Sequence, residues 1–255
     1  MSADLIPPRE LIISSGIGAK DREHLEDEYQ RIGEGIFGSL KTSGGLTPDS
    51  RVLEVGCGLA RIARPMIGFF DSGSYTGLDV NRESIDWCNA HYAEFPEFRF
   101  LHMDVFNTRY NPDGPAQPHE YRLPVDDACY DLVFSSSLFT HLLIDTVDNY
   151  LGEFARVLKP GSYTWNTFLL LDEHSEPKVL EDRTDGRKML HRVDGGRVAN
   201  PAVPEQVVGL YLDRVEDLHR KHGLEIVDVK LTNWSGGRPD IAFAGQDLIV
   251  ARKGG

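Results

Sequence analysis

A carboxylate and two glycines stand close together in Glu54-Val55-Gly56-Cys57-Gly58-Leu59-Ala60-Arg61. Glycine lets a backbone approach a ligand closely and adopt positive φ. A dinucleotide fingerprint, G-x-G-x-x-G, would need glycine where Arg61 stands, and a phosphate loop would need G-K-[ST]. A carboxylate two residues before the first glycine is ill suited to a pyrophosphate and well suited to a ligand with positive charge. Asp79 follows 23 residues after Gly56. At about that spacing an acid can accept hydrogen bonds from a ribose diol. Asp104 follows a further apolar run and could accept from an exocyclic amino group such as that of adenine. The set implies a ligand with a ribose, an adenine and a cationic part, and no requirement for phosphate. Each residue also has a plainer use: the glycines in a tight turn, Asp79 as a helix cap, Asp104 in a turn.

Two histidines are candidate bases. His141 lies in Ser135-Ser136-Ser137-Leu138-Phe139-Thr140-His141-Leu142, and His174 follows Asp172-Glu173. The competing uses are hydrogen bonding to backbone for His141 and a solvated loop for His174. His219 and His222 have a spacing that could hold a metal. With Arg220 and Lys221 between them they read better as complements to a helix C-terminus. No metal site is expected. Trp234-Ser235-Gly236-Gly237-Arg238-Pro239 has two readings, an ordinary hairpin loop or a loop whose Arg238 holds an acidic group of a substrate, and the first is preferred.

These residues need elements to position them. Residues 1–20 should be irregular and 21–40 helical. Strands are expected at 51–55, 75–80, 98–103, 131–135 and 163–171. Helices are expected at 59–70, from an Asn81 cap to about 93, and from an Asp145 cap to 158. In the last of these Val147, Tyr150, Leu151, Phe154, Val157 and Leu158 recur at three- and four-residue steps. Residues 107–128 and 172–203 read as insertions. A helix over 204–222, ended by Gly223, leads to strands at 224–231 and 247–251. Alternating strands and helices mean a mainly parallel sheet covered on both faces. Ligands of such sheets bind beyond the carboxyl ends of the strands, where Glu54, Asp79 and Asp104 fall.

Val52-Leu53-Glu54-Val55-Gly56-Cys57-Gly58-Leu59-Ala60, Gly77-Leu78-Asp79, Met103-Asp104-Val105, Tyr130-Asp131-Leu132-Val133 and Arg156-Val157-Leu158-Lys159-Pro160-Gly161 resemble, in order, the class I S-adenosylmethionine-dependent methyltransferases. The resemblance covers roughly residues 50–171. It departs at Ala60, where the family usually has a third glycine; little shift of the following helix is expected. It implies an α/β, Rossmann-like fold with seven strands, mainly parallel, helices on both faces and an antiparallel last strand. It implies S-adenosylmethionine as cofactor. Glu54, Gly56 and Gly58 would shape the methionine pocket, Asp79 with Val80 would hold the ribose, and Asp104 with Val105 the adenine. Ser135 and Ser136 would lie under the cofactor, and Tyr29 would cover its methionine end. Many small-molecule members carry a histidine at the place of His141.

Composition narrows the partners. The chain has 255 residues, 40% of them hydrophobic and 26% charged, which is globular rather than disordered. It is long enough for one domain spanning 1–255, with a helical cap over about 1–45 and lid-like insertions at 107–128 and 172–203. A net charge of −13 makes it a poor binder of nucleic acid, whose affinity rests on neutralising phosphates. The family's DNA- and RNA-modifying members usually show Asp/Asn-Pro-Pro-aromatic where this chain reads Ser135-Ser136-Ser137-Leu138. No apolar run suggests a membrane span, and the first residues do not read as a signal peptide. Cys57, Cys88 and Cys129 are odd in number and widely spaced, which suits free thiols in a reducing cytoplasm. The expected activity is methyl transfer to a small molecule, most plausibly at oxygen. The alternatives are a nicotinamide-dependent oxidoreductase, a non-catalytic binder of the same cofactor, and a protein methyltransferase. A homo-oligomer is left open.

Overall fold

Short apolar runs between polar turns build one central sheet. The computed structural model describes residues 5–15, 24–181, 188–236 and 245–255. Helices α1 (Arg9–Ser14) and α2 (Leu25–Ser43) lead into β1 (Arg51–Val55), β2 (Ser74–Asp79), α3 (Arg82–His91) and β3 (Phe98–His102). Then come β4 (Tyr130–Ser135), α4 (Ile144–Val157), β5 (Leu158–Phe168), β6 (Leu170–Leu171) and α5 (Ser175–Leu180). The chain finishes with β7 (His191–Val193), β8 (Gly196–Val198), β9 (Val208–Tyr211), α6 (Leu212–Lys221), β10 (Leu224–Lys230) and β11 (Asp247–Lys253).

The main sheet has seven strands in the order β10-β11-β5-β4-β1-β2-β3. Strand β11 runs antiparallel to both neighbours, and β5, β4, β1, β2 and β3 pair in parallel. The fold class expected from the resemblance is the one observed. Strand order reverses between β1 and β4, so the crevice of the switch point opens beyond Val55 and Ser135.

Period-two alternation divides the core. Leu53, Val55 and Val133 face α4 and α6, whose Val147, Leu151, Phe154 and Val215 are buried against them. Val52, Leu132 and Phe134 face the other way, toward Leu40 of α2 and Ile85 and Cys88 of α3. Each fully buried side chain of this size contributes about 1.5–3 kcal/mol. Asn81 caps α3 as expected, its side chain accepting from the Ser84 N–H at 3.1 Å. Gly223, at φ +67°, follows α6 as expected.

Several expectations fail for identifiable reasons. Residues 59–70 form no α-helix; they are turns with one 3-10 turn at Arg64–Met66. Ala60 is left-handed, at φ +61°, and Pro65 cannot donate to the Arg61 carbonyl four residues back. Asp145 lies one residue inside α4, after Leu143 at the cap position. Strand β5 begins at Leu158 rather than Tyr163, with an irregularity before Tyr163 rejoins β4. Within residues 1–20, Arg9–Ser14 is helical; residues 1–4 and 16–23 lie outside the described residues.

The largest difference concerns 172–211. The expected irregular insertion and the first half of the expected 204–222 helix instead build a second sheet, β6-β9-β8-β7. Leu170, Val198, Val208 and Leu210 join the main core from one face of it. Leu171 and Met189 pack from the other against Val179 of α5 and Trp234. Residues 182–187 and Arg238 lie outside the described residues. The 107–128 insertion is held down at its second half. Asn149 Nδ2 donates to the Pro118 and Tyr121 carbonyls at 3.0 and 2.9 Å, and Arg156 donates to the Leu123 and Val125 carbonyls at 3.1 and 3.0 Å.

Candidate active site

Beyond β1 the backbone enters the left-handed region at Gly56 (φ +83°) and Gly58 (φ +51°). That conformation favours glycine because a side chain would crowd the following carbonyl. The Gly56 and Cys57 N–H groups donate to the Leu78 carbonyl at 2.8 and 3.0 Å, which fastens the turn to β2. A Cβ added at Gly58 would meet nothing within 4 Å, so the backbone there is open to close approach.

Asp79 ends β2 and is half-buried. Its Oδ2 accepts from the Gly58 N–H at 2.7 Å and its Oδ1 from the Asn81 N–H at 2.8 Å. A carboxylate offers about four acceptor sites, so capacity remains for a diol. Burial raises its pKa, and the two backbone donors oppose the rise. Met103 donates to the Asp79 carbonyl at 2.8 Å, bringing the end of β3 alongside. Asp104 is exposed, with Oδ1 accepting from Asn111 Nδ2 at 3.0 Å, while Val105 is buried. Val80 is half-buried, and His102 Nε2 donates to its carbonyl at 3.0 Å.

Glu54 is buried, at 2% exposure, and Tyr75 of β2 donates to its Oε2. Burial pushes its pKa up to about 8; the Tyr75 hydroxyl and Arg61 pull down, and Asp79 adds to the rise. Tyr75 and Arg61 both escaped sequence reasoning as parts of this site. Arg61 stood out only as the residue that breaks a dinucleotide fingerprint. The one available signal for Tyr75 was that a buried tyrosine hydroxyl needs a partner.

Helix α2 lies directly on the turn. Tyr29 is fully buried, donates to the Leu59 carbonyl at 2.7 Å, and packs with Ile12, Leu25 and Leu59. Gly33 permits the contact, since an added Cβ would lie 2.1 Å from the Arg61 carbonyl oxygen.

Tyr29, Glu54, Gly56, Gly58 and Asp79 thus form one connected cluster, with Val80, Asp104 and Val105 beside it. Ser135 is buried and donates to Asn166 Oδ1 at 2.8 Å; Ser136 is half-buried. The two candidate bases sit in separate settings. His141 Nδ1 lies 3.0 Å from the Glu205 carbonyl. A carbonyl only accepts, so the proton is on Nδ1 and the lone pair on Nε2. The residue is in part exposed, yet local desolvation of the ring lowers its pKa. His174 Nε2 lies 3.2 Å from the Gly236 carbonyl and also meets Lys178 Nζ. Thr108 and Tyr110 form a strap, donating to Glu205 Oε2 at 3.3 Å and to the Ser15 carbonyl at 3.1 Å. Tyr110 is close enough to Asp79 to feel its charge.

His219 is buried, with Nδ1 bonded to the Val215 carbonyl, and His222 pairs with Asp148 at 2.6 Å. No group of three or more metal-ligating side chains occurs among the described residues. Clefts near Leu224–Ile226 and Arg122–Asp127 lie at the amino ends of β10 and β4, away from this cluster. The strand-end chemistry, rather than those clefts, marks the site.

Residues 53–165, which hold the whole cluster apart from Tyr29, match the methyltransferase domain family. A phthiotriol/phenolphthiotriol dimycocerosates methyltransferase of Mycobacterium ulcerans is 32% identical over 122 residues, 47% of this chain and 37% of the relative. A fatty-acid O-methyltransferase of Mycolicibacterium smegmatis is 34% identical over 116 residues, 44% of this chain and 35% of the relative. The matched stretch therefore spans little more than a third of these relatives. A TehB-like SAM-dependent methyltransferase of Corynebacterium glutamicum has the same fold, with TM-score 0.51, 16% identity and 87% coverage of both chains. The [4+2]-cyclase SpnF also shares it, with TM-score 0.61, 16% identity, and coverage of 98% of this chain and 94% of that one. Family and fold together imply S-adenosylmethionine as the cofactor. The residues fit it: a buried acid for a cationic end, a second acid for a ribose, and an open glycine backbone between them.

Proposed function

We propose that the chain transfers a methyl group from S-adenosylmethionine to a small-molecule acceptor, at oxygen, by in-line displacement. The observation that carries this reading is the connected set Glu54, Gly56, Gly58 and Asp79 beside Asp104 at the carboxyl ends of the central strands. When bound, the cofactor supplies a methyl already activated by its sulfonium. Glu54 receives the ammonium group of the amino-acid end, Asp79 with Val80 the ribose, and Asp104 with Val105 the adenine. Gly56 and Gly58 let the backbone approach, Tyr29 holds the turn from above, and Ser135 and Ser136 support it from β4. The protein's remaining task is to hold the acceptor close and collinear.

His141 is the base in this reading. Its Nε2 lone pair is set by the Nδ1 bond to Glu205, and its lowered pKa keeps it neutral near pH 7, ready for a hydroxyl proton. His174 ranks second because its Nε2 is already engaged by Gly236 and Lys178. The second sheet walls the acceptor side, and the 108–110 strap completes the lid. A relative described as a fatty-acid O-methyltransferase supports oxygen and an apolar acceptor. No helix among the described residues is long and apolar enough to cross a membrane, and Cys57, Cys88 and Cys129 are free thiols. Both suit the cytoplasm.

The test is calorimetric titration with S-adenosylmethionine, S-adenosylhomocysteine and NAD, followed by a methyl-transfer screen of fatty acids and hydroxylated lipids. Binding of the sulfur ligands alone, and turnover on a lipid, is expected. Failure of both sulfur ligands to bind refutes the reading. Binding without turnover on any acceptor would favour the non-catalytic alternative. Asp79→Ala should weaken the cofactor at least about tenfold, the cost of about one charged hydrogen bond. His141→Ala should lower turnover about 100-fold at unchanged cofactor affinity.

A further inference from the structure

Tyr75 and Glu54 meet across the first strand pair. In the parallel register Glu54 lies opposite Gly77, and Tyr75 opposite Val52. Gly77 leaves the space between them clear: an added Cβ would sit 3.0 Å from Tyr75 Cε1 and 2.9 Å from Cys57 Sγ. The Tyr75 ring, fully buried, is lodged against Phe98 and Phe100 at centroid distances of 5.6 and 5.7 Å. From there its hydroxyl donates to Glu54 Oε2.

We propose that Tyr75 is a positioning residue for the cofactor: its hydroxyl fixes the Glu54 carboxylate and favours the charged form that receives the ammonium group of the amino-acid end. This rests on the cofactor reading above. A hydrogen bond donated to a carboxylate stabilises the ionised form, and burial opposes it. The other titratable groups facing Glu54 are Arg61 from the turn, Asp79 from the end of β2, Tyr29 from α2, and Cys57 and Cys88. Arg61 is the positive one; Asp79 opposes ionisation. Glu54, with a pKa of about 8, is mostly protonated near neutral pH before a cation arrives. Binding then expels one proton to solvent.

The experiment is titration of the full chain with S-adenosylmethionine across about pH 6 to 8, in buffers of differing ionisation enthalpy. The wild type should bind more tightly as pH rises and release about one proton at the acid end. In Tyr75→Phe the rising limb should move up by about one pH unit, with binding about tenfold weaker at pH 7 and recovering as pH rises. Glu54→Gln should lose the pH dependence, and adding Tyr75→Phe to it should cost nothing more. Tyr75→Phe binding that matches wild type at every pH, or is weaker by one factor at all of them, overturns the proposal. Should Tyr75→Phe not fold, Glu54→Gln decides alone: an unchanged pH profile overturns it. No binding by the wild type strikes instead at the cofactor reading itself.

Discussion

At the scale of single residues, the informative groups are buried acids whose neighbours decide their charge. Glu54 has its folded pKa raised to about 8, above the ordinary carboxylate value. Between those two pH values the unfolded chain holds fewer protons than the folded one, so stability falls as pH rises through that window. Below it the contribution is fully present; above about pH 8 it is lost. Glu54→Gln removes the titrating group. Thermal unfolding of that variant should therefore vary less with pH over about 5 to 8, with a higher Tm than wild type near the upper end. Glu54, Asp79 and Asp104 stood out as candidates because each lies at the carboxyl end of an apolar run, and the structure brings those strand ends side by side. Tyr75 and Arg61 were not, because their roles depend on which strand lies beside which and on how the turn folds back.

At the scale of elements, local pattern read the strands well and two segments badly. Leu59, Ile62, Ala63, Met66 and Ile67 have helical spacing, yet those residues are turns. Pro65 leaves the Arg61 carbonyl without its helical donor, and α2 lies against that carbonyl instead. Ala60 holds a left-handed conformation that costs an alanine roughly 1–2 kcal/mol. Ala60→Gly should relieve it and stabilise the protein by about 1 kcal/mol net of the added unfolded-state freedom, measured by denaturant midpoint. Gly33→Ala should do the opposite. With a carbonyl 2.1 Å from the added carbon, helix and turn must separate. A loss of about 2 kcal/mol or more is expected in the same assay. Val207, Val208 and Tyr211 also looked helical at three- and four-residue steps. They alternate between the two faces of the second sheet, whose pairing with β6 and β8 joins residues far apart in sequence.

At the scale of the whole molecule, the second sheet is not a loose appendage. One face shares the main core and the other packs on α5 and Trp234. Buried Asp247, at the start of β11, accepts from Leu170 N–H at 2.8 Å, Thr232 N–H at 2.6 Å and Trp234 Nε1 at 2.6 Å. One side chain thereby joins the main sheet, the second sheet and the loop after β10. Unfolding should therefore be a single transition, with aromatic and backbone signals coincident in denaturant. Two separated transitions would show that the second sheet folds independently. The central order of strands was legible because buried parallel strands read as apolar runs. The extra sheet was not, since its strands are only two to four residues long.

Helix α2 meets the glycine turn through Gly33 on the Arg61 carbonyl and Tyr29 on the Leu59 carbonyl, backbone groups rather than pliable side chains. There is no slack at that seam to absorb a shift, so the helix registers whatever the turn does. Amide exchange along residues 25–43 becomes a remote gauge of occupancy, readable by isotope labelling without any probe placed in the pocket.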